Sequence, residues 1–90
     1  MRIEINVGER DAQGLARFLE GSGLPEGDAQ ELAQLAFAEE PESAAEPMGP
    51  KVRSWLLENM KKAANGTWKM GLAVANDVIK EALLKYYGLK

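Results

Sequence analysis

The residue types that most often carry chemistry are missing from this chain or wrongly spaced for it. It has no His and no Cys, so a Ser–His or Cys–His nucleophile lacks its base or its thiol. The same absence removes disulfides and the usual zinc ligand sets. Ser22, Ser43 and Ser54 fall in a turn, a linker and a helical pattern, with no activating-base motif around them. Carboxylates are plentiful, but Glu39, Glu40, Glu42 and Glu46 read as a solvated run rather than as a spaced acid–base pair. The glycines match neither a phosphate-binding loop nor a dinucleotide fingerprint. No catalytic, cofactor-binding or metal-ligating residue is therefore assigned, and the expectation is a cofactor-free protein that is not an enzyme.

Charge is the next resource. Lys51, Arg53, Lys61, Lys62, Lys69, Lys80 and Lys85 lie in the half that also holds Trp55 and Trp68, and a basic surface with aromatics is what nucleic acid requires. Both tryptophans, however, fall on apolar stripes, and the whole chain has a pI near 5.0. Nucleic acid is disfavoured as a partner. The net charge of −3 hides a division: residues 1–47 carry eleven acidic and three basic side chains, residues 48–90 three acidic and eight basic. The halves thus stand at −8 and +5. They can attract each other within one molecule, attract head to tail between molecules, or present a basic face to an anionic partner.

The positions of these residues depend on the elements that carry them. Thr67 to Tyr87 is the clearest: Trp68, Gly71, Leu72, Ala75, Val78, Ile79, Ala82, Leu83 and Tyr86 fall in one arc about 140° wide, the stripe of a core-facing helix. At about 1.5 Å per residue such a helix runs roughly 30 Å. Upstream, Pro50 suits a first turn, and Val52, Trp55, Leu56, Met60 and Ala63 make one face. Asn65-Gly66 is a left-handed stop and Thr67 a candidate cap. Residues 50–90 therefore read as a basic helical hairpin, with one continuous or kinked helix as the competing reading.

The acidic half, residues 1–40, reads as strand–helix–helix. Met1, Ile3, Ile5 and Val7 alternate with Arg2, Glu4 and Asn6, the period of a half-buried strand. A lone strand leaves both edges unpaired, so three arrangements are open: antiparallel self-pairing centred on Ile3, addition to a foreign sheet, or an arm on the helices. Glu9 to Glu20 forms a short helix with Ala12, Leu15, Phe18 and Leu19 on one side, stopped by Gly21-Ser22-Gly23. Asp28 and Glu31 resemble a capping box before a stripe of Ala29, Leu32, Ala33, Leu35 and Ala36, with Phe37 offset from it. Residues 41–49 form an acidic, Pro- and Ala-containing linker.

The predicted fold is one mostly α domain of about four helices, with a C-terminal helical hairpin and a single short N-terminal β-strand. A chain of this size buries only a little over 60% of its unfolded surface, and oligomerisation is the common remedy. Met70, Val74 and Leu84 lie on the far side of the last helix, where few elements remain to cover them. The expected function is a self-associating interaction or assembly module, a homo-oligomer (a dimer favoured) or a binder of another protein. Its interface is assigned to Ile3, Ile5, Trp55, Trp68, Met70, Val74, Leu84, Tyr86 and Tyr87. The alternative is a membrane-surface-active protein acting through amphipathic helix 67–87. The N-terminus lacks the apolar run of a signal peptide and no stretch approaches a membrane span, so Asn65-Gly66-Thr67 is expected to be an idle glycosylation sequence and the compartment cytoplasmic.

Overall fold

The structure, a computed structural model, describes residues 7–40 and 47–89. Every regular element among them is helical: α1 Ala12–Ser22, α2 Glu26–Ala38, α3 Pro50–Asn59, the single turn α4 Lys61–Ala64, and α5 Leu72–Tyr86. Met60 keeps helical dihedrals (φ −60°, ψ −26°) between α3 and α4, so α4 extends α3 by one turn and the described residues form four helical arms. The predicted strand falls almost wholly on residues 1–6, outside the described residues. Val7, its last residue, is buried in the core but belongs to no strand.

Helix α1 starts three residues later than its charge pattern implied. Arg10 stands in the left-handed region at φ 59°, which breaks the helical path and makes Asp11 the N-cap. The Asp11 carboxylate accepts the Gly14 N–H at 3.0 Å, satisfying one of the orphan donors of the first turn. At the other end Gly23, at φ 131°, donates its N–H to the Leu19 and Glu20 carbonyls, and the Leu24 N–H returns to Leu19. This left-handed close turns the chain straight into α2.

Helix α2 begins at Glu26, with Pro25 as its N-cap, three residues before Asp28, the expected N-cap. The proline's extended ψ of 152° ends the turn at once, and Asp28 becomes a first-turn residue whose side chain is drawn elsewhere. Helix α5 is also shorter than predicted. Asn65 Oδ1 accepts both the Thr67 N–H (3.0 Å) and its hydroxyl (2.7 Å), and Gly66 is left-handed at φ 88°. The chain therefore turns through residues 65–71, and Gly71 rather than Thr67 stands at the α5 N-cap. Residues 50–87 are not one helix.

Packing departs from the expected hairpin of residues 50–64 against 67–87. The tightest pair is α1 with α2, joined by only three residues and so antiparallel; α5 lies chiefly on α1, and α3 on α2. The acidic pair is thus the hub, and α5 reaches the α3 arm through α4 and Trp68. Leu15, Leu19, Leu32, Val52, Trp68, Ile79, Leu83 and Tyr86 are the large side chains at the centre. The Cα radius of gyration is 11.7 Å, against about 12 Å expected for a compact chain of this length.

Candidate functional site

Among the described residues, two clusters of polar and aromatic side chains join the arms, and a groove between α1 and α2 stays open. The first cluster joins α2 to the basic half. Trp55 and Trp68 stack with ring centroids 5.9 Å apart at 20°, and both rings are buried. A buried indole needs a partner for its N–H, and α2 supplies both from successive turns. Asp28 Oδ2 accepts the Trp68 N–H at 3.0 Å, and Glu31 Oε1 accepts that of Trp55. Asp28 also takes the Lys62 ammonium at 3.0 and 3.2 Å. Trp68 enters this site from the 65–71 loop, which is tethered by Trp68 N–H to the Lys62 carbonyl and by Lys69 N–H to the Gly23 carbonyl, each 2.9 Å.

The second cluster fastens the end of α5 to the start of α1. The Arg10 N–H donates to the Tyr86 carbonyl at 2.6 Å. Its guanidinium lies 5.1 Å from the Tyr87 ring centroid and pairs with Glu40 at 2.8 Å, and the Glu40 contact raises its pKa above the usual arginine value. Tyr87 packs edge-on to Tyr86, and its hydroxyl donates to the Ala36 carbonyl at 2.9 Å. Burial pushes the Tyr87 phenol up to about 12. The Tyr86 hydroxyl is buried without a hydrogen-bond partner among the described residues. Burial raises its pKa as well, with nearby Arg10 offsetting part of the rise.

Glu39, at the end of α2, faces the wrong pole of its own helix dipole, but its carboxylate reaches across to α3. There Oε1 accepts the Lys51 N–H at a helix N-terminus, where negative charge is favoured. Gly49 makes this possible, because a Cβ on it would coincide with the Glu39 carboxylate. The acidic run of the sequence is thus divided by the fold: Glu39 caps α3, Glu40 pairs with Arg10, and Glu42 and Glu46 lie outside the described residues. Ser22 donates its hydroxyl to the Phe18 carbonyl at 2.9 Å, a helical back-bond. Among the described residues no three Asp or Glu side chains converge as metal ligands would.

Of the residues assigned to an interface, Ile3 and Ile5 lie outside the described residues. Trp55, Trp68, Leu84, Tyr86 and Tyr87 are buried by this chain itself, Met70 is partly buried against the core, and Val74 is 48% exposed. Val74 shares its exposure with apolar side chains that the assignment left out, Phe37 at 71%, Leu57 at 75% and Leu72 at 49%. Phe37 borders a shallow groove between α1 and α2, lined by Ala12, Gln13, Ala16, Arg17, Glu20, Gln30, Ala33 and Gln34. Its offset from the α2 stripe was the signal in the sequence that could have marked it.

No protein-family model matches the chain, and no curated protein and no solved structure matches it.

Proposed function

We propose that this chain is a non-enzymatic interaction module that associates with a second copy of itself or docks on another protein. The observation that supports this reading is the apolar surface left over once the core is complete. Leu15, Leu19, Leu32, Ile79 and Leu83 are fully buried without help from a partner, yet Phe37 and Leu57 stand more than two-thirds exposed on α2 and α3. Single exposed apolar residues are ordinary. Phe37 is different because it borders a groove between α1 and α2 whose lining mixes three alanines with polar side chains, and an apolar side chain beside a recess with a polar rim is the usual anatomy of a contact face.

Asp28 of the acidic half pairs with Lys62 of the basic half, so the acid–base division of the chain acts at least partly within the molecule. The rival reading, action on a membrane surface through helix 67–87, requires release of a stripe in which Ala75, Ile79, Ala82, Leu83 and Tyr86 are wholly buried. No helix among the described residues is long and apolar enough to cross a membrane.

Light scattering and native mass spectrometry on the full chain at micromolar concentration test the proposal. A concentration-dependent dimer is expected; a strict monomer ends the self-association reading. Co-sedimentation with anionic vesicles at low salt tests the membrane alternative, and binding there with an exposed α5 would replace the proposal.

A further inference from the structure

We infer that Asn65 is a site of spontaneous modification, losing its side-chain amide to attack by the Gly66 nitrogen at a rate set by opening of the 65–71 loop. The inference is independent of self-association. The chain has four asparagines, and Asn65 alone is followed by glycine. That neighbour matters because no Cβ obstructs the attacking nitrogen. Asn65 and Gly66 are both exposed, and even a Cβ built at position 66 would meet nothing within 4 Å. The Gly66 N–H makes no hydrogen bond among the described residues, so the nucleophile is unencumbered. Asn59 and Asn76 differ, because they lie in helices α3 and α5. The amide after Asn59, that of Met60, donates to the Leu56 carbonyl at 2.8 Å. Asn6 lies outside the described residues.

The electrophile is prepared as well. Asn65 Oδ1 accepts the Thr67 N–H at 3.0 Å and the Thr67 hydroxyl at 2.7 Å. Donors on that oxygen polarise the side-chain carbonyl and stabilise the negative charge that gathers there on attack. The Gly66 nitrogen gives its proton to water and bonds to Asn65 Cγ. The Cγ–Nδ2 bond then breaks, and the nitrogen takes a proton from water and leaves as ammonia. Water next adds to the cyclic imide. Opening at one carbonyl gives aspartate and at the other isoaspartate, so water is consumed, ammonia is released and nothing is oxidised or reduced.

The fold withholds the last requirement. Ring closure needs the Asn65 Cβ to eclipse the Gly66 nitrogen about the Cα–C bond. At the observed ψ of 2° the Asn65 backbone nitrogen stands there instead. Turning that bond swings the loop, which is fastened by Trp68 N–H to the Lys62 carbonyl and by Lys69 N–H to the Gly23 carbonyl. The Trp68 indole, held by Asp28, is a third tether. Cyclisation therefore waits on release of Trp68, and its rate reports opening of the joint between α2 and the basic half. Isoaspartate at position 65 inserts an extra backbone carbon between Lys62 and Trp68, so each event loosens the same joint.

The test is intact-mass spectrometry with peptide mapping of the full chain, incubated at mildly alkaline pH. Wild type should lose the Asn65 amide before that of any other asparagine, and more slowly than the same chain unfolded in urea. Asp28→Ala, which frees the Trp68 indole, should speed the loss at least about fivefold, with far-UV circular dichroism showing that the variant is folded. Asp28→Asn keeps an oxygen for the indole, so its rate should fall between the two, and it serves if the alanine variant does not fold. Asn65→Gln should show no loss at position 65 over the same time, because its longer side chain would have to close a larger ring. Equal rates in the folded and urea-unfolded chains, or an unchanged rate in every folded Asp28 variant, overturn the gating. Amide loss that begins at another asparagine, or none at Asn65, overturns the site.

Discussion

Replacing Asp28 probes the joint on which both halves of the chain depend. Its carboxylate takes the Trp68 indole N–H at 3.0 Å and the Lys62 ammonium at 3.0 and 3.2 Å. In Asp28→Ala the indole donor stays buried, with Trp68 only 2% exposed, and leaving such a donor unmatched costs about 1–3 kcal/mol. The ion pair is partly solvated, with side chains 31% and 16% exposed, so its loss adds only about 0.5–1 kcal/mol. Losing a carboxylate from the first turn of α2 adds roughly 0.5 kcal/mol, which alanine's better helix propensity offsets by a similar amount. The net expectation is a loss of about 1.5–4 kcal/mol, a large share of the 5–15 kcal/mol or so that holds a typical domain together. In a domain this small, each kcal/mol corresponds to roughly 4–8 °C in melting temperature. Asp28→Asn keeps an oxygen for the indole and gives up only the charge, so it should cost about 1 kcal/mol. Urea unfolding followed by tryptophan fluorescence and by far-UV circular dichroism reads both variants. An alanine variant within about 0.5 kcal/mol of wild type, or an asparagine variant as unstable as the alanine one, would refute the assignment of the energy to the indole hydrogen bond.

Three further outcomes follow from the same contacts. Gly23→Ala should lower stability by about 1–3 kcal/mol, because position 23 is left-handed and a Cβ there meets the Lys69 backbone at 3.0–3.3 Å; the urea midpoint checks it. Glu39→Ala and Gly49→Ala should each cost about 1 kcal/mol through loss of the α3 cap. The double variant should cost little more than either, since both remove one interaction; a fully additive double variant would argue against the cap. The Tyr87 phenol has its pKa raised from about 10 to about 12 by burial, so the fold favours its neutral form. That contribution is complete below about pH 10 and is lost as pH rises towards 12. Wild type should therefore lose stability across that interval more steeply than Tyr87→Phe in parallel denaturant titrations, Tyr86 contributing a residual slope in both.

The buried faces of the helices were legible because burial leaves a 3.6-residue period whatever the partner. Leu15 and Leu19, Leu32 and Ala36, Val52 and Trp55, and Ile79 and Leu83 all point inward as their spacing implied. The true start of α5 was not. Trp68 has the phase of the α5 stripe, but it sits in a loop held by Lys62 and Gly23 carbonyls, contacts that no local pattern encodes. Asp28 looked like a cap because a cap is a local device; Pro25 and two distant donors decided its role instead. Helix pairing was hidden for a related reason. The stripe on α5 says that something covers it, not that α1 does. The same ambiguity governs the assigned interface, since a helical wheel treats an intramolecular neighbour and a second molecule alike. It placed Leu84 and Val74 on one outer side, whereas the fold covers Leu84 to 8% exposure and leaves Val74 at 48%. The open groove was half visible, in the alanines of α2 and in Phe37 standing off their stripe.

The bond from the Arg10 N–H to the Tyr86 carbonyl spans almost the whole chain. Arg10 lies outside every helix, in a turn with an exposed side chain, and an amide so placed ordinarily exchanges its proton with solvent through small local motions. Here the proton is held by the last residue of α5 and is released when that end of α5 leaves the start of α1. A contact between such distant positions also closes late in folding, after the shorter loops have formed. The Arg10 amide should therefore exchange more slowly than an unbonded turn amide, and its rate should report how often the end of α5 parts from α1.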